Sequence, residues 1–255
     1  MHILLGAVVA LTVGFAVAQL ATYTTTIYLH RALAHRAMTL RAPAAWAARF
    51  VLWVTTGIRP RQWVAVHRKH HAFTDTDGDP HSPKLLGWRK VQVANWQLYR
   101  REARQSDTVA RYARDLRPDL WDRLLFDHAL LGLALGVATM VWLLGPWVGL
   151  AASAVHLVTY IQLNSAVNAI GHTFGRRPHD NSATNLQWLA WLTGGEGLHN
   201  NHHAAPTSAT MRLRKGEIDP AWPLIWLGSK VGLVKIRLSE TKLTTPRPRP
   251  ATLNG

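Results

Sequence analysis

The sequence predicts an all-α protein, with polytopic membrane helices and a cytosolic helical cap that carries a histidine-rich metal site. Three observations predict it. Two long stretches lack Lys, Arg, Asp and Glu altogether: "ILLGAVVALTVGFAVAQLATYTTTIYL" from Ile3 to Leu29 and "ALLGLALGVATMVWLLGPWVGLAASAVHLVTYIQL" from Ala129 to Leu163. The basic residues are confined to the segments outside these stretches. Three short motifs, "HRALAHR", "HRKHH" and "HNNHH", gather histidines at close and repeated spacing.

Each element follows from composition. A membrane-spanning helix needs roughly 20 apolar residues. The second stretch is about twice that length and is broken at Gly145-Pro146, so it reads as a helical hairpin. The first is too long for the apolar region of a signal peptide, and no basic segment precedes it. The expected spans cover about 3–28, 127–145 and 147–170. The stretch "PAAWAARFVLWVTTGI", about 43–58, is short and carries Arg49. Were it to cross the bilayer, "HRALAHR" and "HRKHH" would lie on opposite sides and could not share a site. It is therefore expected to be an interfacial helix, with the N-terminus outside and every histidine motif inside. Residues 1–240 read as a single domain, and 241–255, ending "TTPRPRPATLNG", as a disordered basic, proline-rich tail.

The net charge of +15 raises nucleic acid as a partner, but its distribution excludes that reading. No Lys or Arg precedes Arg31 and none occurs from Asp127 through Phe174. Basic residues restricted to one set of loops are what the positive-inside rule produces, and such a face suits anionic lipid. The absence of cysteine excludes disulfides, Cys-ligated zinc and Cys-bound iron–sulfur clusters. The Ala- and Arg-rich composition points to a bacterial cytoplasmic membrane.

The histidines carry the chemistry. His67, His70 and His71 stand at i, i+3 and i+4, and His199, His202 and His203 repeat the pattern. On a helix these positions share one face. Imidazole is a common ligand of iron, zinc, copper and nickel. With His30, His35 and His172 the motifs supply nine rings, and Asn168 lies four residues before His172. Nine are too many for one tetrahedral ion and suit two ions with four or five ligands each. The isolated His2, His128, His156 and His179 read as ordinary surface or core residues.

"HRALAHR", "HRKHHAFTDTDGDPH", "GEGLHNNHH" and "NSAVNAIGHTFGRRPHD" resemble the three histidine boxes and the additional ligand segment of the membrane fatty acid desaturases, of the stearoyl-CoA (Δ9) type. The resemblance covers roughly residues 5–206. It implies two iron ions bound by His30, His35, His67, His70, His71, His172, His199, His202 and His203, with Asn168 acting through a water. It implies O₂ as co-substrate, a saturated acyl chain carried by CoA, carrier protein or phospholipid, a cis double bond at Δ9, and a separate electron donor such as ferredoxin or cytochrome b5. The chemistry is coherent with that reading. An unactivated methylene offers no acidic proton and no electrophile, so a metal cofactor must carry the hydrogen removal.

Asp79, Asp180 and Glu196 lie close in sequence to these histidines and are expected to accept their second N–H groups. Trp63, one turn before His67, matches a substrate-channel position of that family, and the resemblance implies that it lines the channel. If the first span continues as an α-helix into His30, Thr22 and Ala18 share its face and line the same channel. The "Arg-Asp" pair that acyl-CoA members of the family carry before the second box is replaced by Ala65 and Val66, which leaves the acyl carrier open. Two other functions fit histidine-rich membrane chains: hydroxylation or another oxygenation of a lipid or hydrocarbon, and non-redox metal binding.

Overall fold

The computed structural model describes residues 2–238, so the tail expected over 241–255 lies outside the described residues. In chain order, α1 (His2–Thr24) runs into a π-helix, π1 (Thr25–Ala34), followed by strand β1 (Met38–Leu40), α2 (Ala42–Thr56), α3 (Pro60–Phe73), α4 (Pro83–Leu86), α5 (Trp88–Ala103) and α6 (Ser106–Tyr112). A short π-helix, π2 (Asp122–Phe126), precedes the hairpin α7 (Ala129–Leu144) and α8 (Pro146–Ala169). The chain closes with α9 (Gln187–Leu192), α10 (His199–Ala204), α11 (Trp222–Lys230) and β2 (Val234–Ile236).

Among the described residues two helices are long and apolar enough to cross a membrane: the continuous rod Ile3–Ala34, of 32 residues, and α8, of 24 residues. The expected middle span is shorter than its sequence suggests. It forms the 16-residue α7, about 24 Å at 1.5 Å per residue against roughly 30 Å of hydrocarbon. The shortening has a local cause. Asp127 closes π2, which leaves His128 as the residue that caps α7, and the Trp53 indole donates to the His128 carbonyl at 3.0 Å.

α1 packs along α8, and α2 packs along both α7 and α1. Small residues permit the close approach. A Cβ placed on Gly136 would stand 2.0 Å from the Val54 carbonyl oxygen, and one on Gly132 2.4 Å from that of Trp53. Large apolar side chains such as Ile3, Leu130, Trp142 and Trp147 are exposed on the outer faces of these helices, as suits contact with lipid rather than a protein core.

The only strands among the described residues are β1 and β2, an antiparallel pair with Met38 opposite Ile236. Met38 and Ile225 pack together beneath this ribbon, which ties the segment after π1 to the C-terminal helix. α2 leaves the end of π1, and the chain returns through α3 to the same place, where residues of π1 and α3 meet.

Candidate metal centre

π1 sets the first pair of histidines. In a π-helix the backbone hydrogen bonds join residues five apart, rather than three or four, and the His35 N–H donates to the His30 carbonyl at 3.1 Å. His30 and His35 have that spacing, and their ring centroids lie 4.8 Å apart. The H-x4-H motif thus matches a π-turn, and π-turns recur at functional sites.

The nine motif histidines fall into two groups within which the candidate ligand atoms lie within 4.8 Å of one another. The first contains His30, His35, His67, His71 and His202, and the second His70, His172, His199 and His203. Helical geometry divides the two H-x2-H-H motifs. Within the shared face the i+4 residue lies about 40° to one side of i and the i+3 residue about 60° to the other, so they reach different groups. On α3, His67 and His71 join the first group and His70 the second; on α10, His199 and His203 join the second and His202 the first. The groups are contiguous, with the His71 and His203 rings stacked at 4.3 Å. His172 lies in the turn beyond α8 rather than on the helix itself.

The donor atoms converge in a way that imidazoles alone do not favour. Nε2 of His35 is 2.8 Å from Nε2 of His67, and Nε2 of His202 lies 3.0 Å from His71 Nε2 and 3.1 Å from His30 Nε2. Nε2 atoms of His199 and His203 are 3.2 Å apart. Nε2 of His70 and of His172 are buried without any hydrogen-bond partner. Burial, reinforced by neighbouring imidazoles, pushes His35, His67, His71, His199, His202 and His203 well below the ordinary imidazole range. Neutral rings with inward lone pairs are what a cation requires, and the donor set fits one metal ion per group.

Carboxylates hold the outer nitrogens. His30 Nδ1 donates to Glu196 at 2.6 Å, and His70 Nδ1 lies 3.0 Å from both oxygens of Asp79. These contacts fix the tautomer that leaves Nε2 as the acceptor. Asp180 does not take the third such place. It is exposed and makes no hydrogen bond to a histidine among the described residues. Its neighbours His179 and Asn181 bond to Asn200, which turns the intervening side chain outward. The partner of His172 is Asp75, at 2.9 Å, which also accepts from Ser82 and Ser182. Asp75 occupies the left-handed backbone region, with φ 58°, which Asp tolerates better than most residues. It follows the second motif by four positions, which is the one signal in the sequence that marks it.

The third motif is locked from behind. Asn200 and Asn201 are buried, and their amides tie α10 to residues 179–185 and to Met211 and Glu217. Arg31, beside His30, is fully buried and bonds both oxygens of Asp219 at 2.7 and 2.9 Å and the carbonyls of Gly194 and Ala209. Gly195, with φ 103°, passes so close that a Cβ would lie 2.4 Å from Asp219 Oδ1. His81, unnoticed in the sequence, is buried against His70 with centroids 4.8 Å apart, and both its ring nitrogens lack partners. Burial, with His70 second, pushes its pKa down to about 3.

A cavity of about 630 Å³ leads from this centre. His30, His67, His199, Glu196 and Asn168 line it together with apolar residues such as Ile58, Leu133, Leu157 and Ile161. Trp63 lines it as well, stacked on His67 at 4.9 Å. Ala18 and Thr22 are buried but do not line it. The π-helix accounts for the difference, because it brings Thr25, five residues before His30, onto the cavity face instead. Tyr160 stands beside Thr25 on the wall and packs against Ala18 and Ala21.

Known proteins bear on this geometry. The sequence model of the fatty acid desaturase family matches residues 5–225. The chain is 32% identical over 216 residues to an sn-1 stearoyl-lipid 9-desaturase of Synechocystis, covering 82% of this chain and 65% of that protein. It is 32% identical over 226 residues to the sn-1 stearoyl-lipid 9-desaturase of Anabaena variabilis, covering 85% and 79%. It is also 32% identical over 220 residues to an acyl-CoA C20 Δ5-desaturase of Anemone leveillei, covering 82% and 67%. The chain thus spans about two thirds of the length of the first of these relatives. A match across most of the chain, including all three histidine motifs, establishes that this protein belongs to the fatty acid desaturase family, a family of oxidoreductases.

Proposed function

We propose that the protein is an O₂-dependent fatty-acyl desaturase that introduces a cis double bond, at Δ9, into a saturated acyl chain. The observation that carries this reading is the junction of two adjacent groups of buried, neutral imidazoles with a largely apolar cavity. His30, His35, His67, His71 and His202 would hold one iron, and His70, His172, His199 and His203 the other, with Asn168 reaching the second through a water. When bound, the iron pair supplies the O₂ chemistry that removes hydrogen from an unactivated methylene, with electrons from a separate donor.

The chain's own residues do the positioning. Ile58, Leu133, Leu157 and Ile161 offer an apolar path, and a volume of about 630 Å³ falls within the roughly 300–1,000 Å³ of small-molecule sites. Trp63 covers the His67 ring and keeps water from it. Glu196, Asp79 and Asp75 keep His30, His70 and His172 in fixed tautomers. With these carboxylates engaged by outer ring nitrogens, imidazoles would hold the metals, in contrast to soluble carboxylate-bridged diiron bundles.

The protein is read as an integral membrane protein with its site on the cytoplasmic side. The two apolar helices and the confinement of Lys and Arg to the cap segments support this. Expression in a desaturase-deficient host, followed by mass spectrometry of its lipids, tests the function. A new monounsaturated acyl chain is the expected result, and a retained hydroxyl oxygen or an unchanged profile would overturn it.

A further inference from the structure

His156 stands apart from the histidine motifs, yet its ring finishes a helix from another part of the chain. It is buried near the middle of α8, a helix of 24 residues that is long and apolar enough to cross a membrane. Its Nε2–H donates to the backbone carbonyl of Thr55 at 2.7 Å, whereas its Nδ1 is buried with no hydrogen-bond partner. An apolar side chain would avoid the cost of that unpartnered nitrogen, so the bond from Nε2 is what the ring is there to make. Ionisable side chains at such a depth are rare and mark function.

Thr55 lies in the last turn of α2, where the final carbonyls have no partner within the helix. In an apolar layer water does not supply one either. Gly57, in the left-handed region with φ 61°, returns its N–H to the Leu52 and Trp53 carbonyls at 3.1 and 3.3 Å. The Val54 carbonyl lies against Gly136 of α7, whose missing side chain leaves it room. The Thr55 carbonyl is met by His156. The next four residues, Thr56, Gly57, Ile58 and Arg59, all line the acyl cavity. Ile58 also packs against the cluster of Ala18, Ala21 and Tyr160, and Tyr160 is one turn beyond His156 on α8.

We propose that His156 is a positioning residue for the acyl cavity. Its bond to the Thr55 carbonyl pins the end of α2 and so holds the wall formed by residues 56–59 where it sets the acyl chain length. The proposal rests on the reading of this cavity as the acyl site.

The test compares His156→Leu, His156→Gln and His156→Asn in the full chain, expressed in a desaturase-deficient host. A glutamine amide can donate from about the place of Nε2, whereas the shorter asparagine amide falls short of it. The readout is the ratio of sixteen- to eighteen-carbon monounsaturated chains, because a loss of stability alone lowers both products together. His156→Leu and His156→Asn are expected to shift the ratio by about two- to tenfold, the span of one hydrogen bond. His156→Gln is expected to keep the ratio of the unaltered protein. In nanodiscs, amide deuterium uptake over residues 56–63 should rise in the Leu and Asn variants but not in the Gln variant, with uptake over α10 unchanged. A constant ratio in the Leu and Asn variants would overturn the proposal, and so would a Gln variant that behaves as they do. Should His156→Leu accumulate too little protein, the contrast between Gln and Asn decides. If no form of the chain makes a monounsaturated product, the acyl reading falls, and the deuterium uptake still decides whether His156 pins α2.

Discussion

The Thr25 hydroxyl and the Tyr160 hydroxyl lie 2.8 Å apart, a hydrogen bond between π1 and α8 on the wall of the acyl cavity. Behind it Tyr160 packs against Ala18 and Ala21. This pair, rather than Ala18 and Thr22, limits the cavity on the α1 side. Thr25→Phe should overfill it and shift products toward shorter acyl chains, costing about 1–3 kcal/mol against the long substrate, or roughly 5- to 150-fold in specificity. Tyr160→Ala should open the wall toward Ala18 and favour longer chains. Acyl profiling of the products checks both, and unchanged chain-length selectivity in both would refute the assignment.

The carboxylates divide into those that hold a ligand and one that does not. Asp75→Asn, Asp79→Asn and Glu196→Gln should each weaken metal retention by about 10- to 100-fold. Asp180→Asn should leave it unchanged, since that side chain is exposed and touches no histidine. Metal content after graded chelator dialysis separates the two classes.

The Arg31–Asp219 pair is buried, with each side chain about 1% exposed. Asp219→Ala leaves a buried cation uncompensated and should cost about 3–5 kcal/mol. Replacing both partners, as Arg31→Met/Asp219→Leu, should cost markedly less. Thermal unfolding in detergent is the readout, and equal losses in the single and double variants would argue against the pair as the source.

His81 makes a pH prediction. Its folded pKa is pushed down to about 3 from an ordinary 6.5, so the unfolded chain binds a proton between those values and the folded protein does not. Protonation then favours unfolding. Stability should be independent of this group above about pH 6.5 and fall as pH drops from there toward about 3. His81→Asn should flatten that acid loss. An identical pH profile in the variant would show that His81 does not titrate in this way.

Much of this was legible in the chain. The charge-free stretches mark α1 and α8, and the doubled H-x2-H-H spacing marks residues that α3 and α10 bring together. Three features were not legible. The π-helix leaves no periodic apolar signature, so counting α-helical turns back from His30 reaches Thr22 and Ala18 instead of Thr25. Asp180 lies eight positions from His172 and Asp75 lies 97, so sequence distance points to Asp180, whereas the Asn200 network turns it outward. The length of α7 depends on where π2 ends, which hydropathy does not register.

Iron stoichiometry tests the central claim most directly. The chain is loaded anaerobically with Fe(II), because zinc outcompetes it for nitrogen sites and its presence in a preparation would not identify the native metal. The account predicts about two iron ions per chain, four or five imidazoles each, falling to about one in His35→Ala and in His172→Ala, which remove a ligand from different groups. A single iron in the unaltered protein, or uptake indifferent to both substitutions, would contradict it.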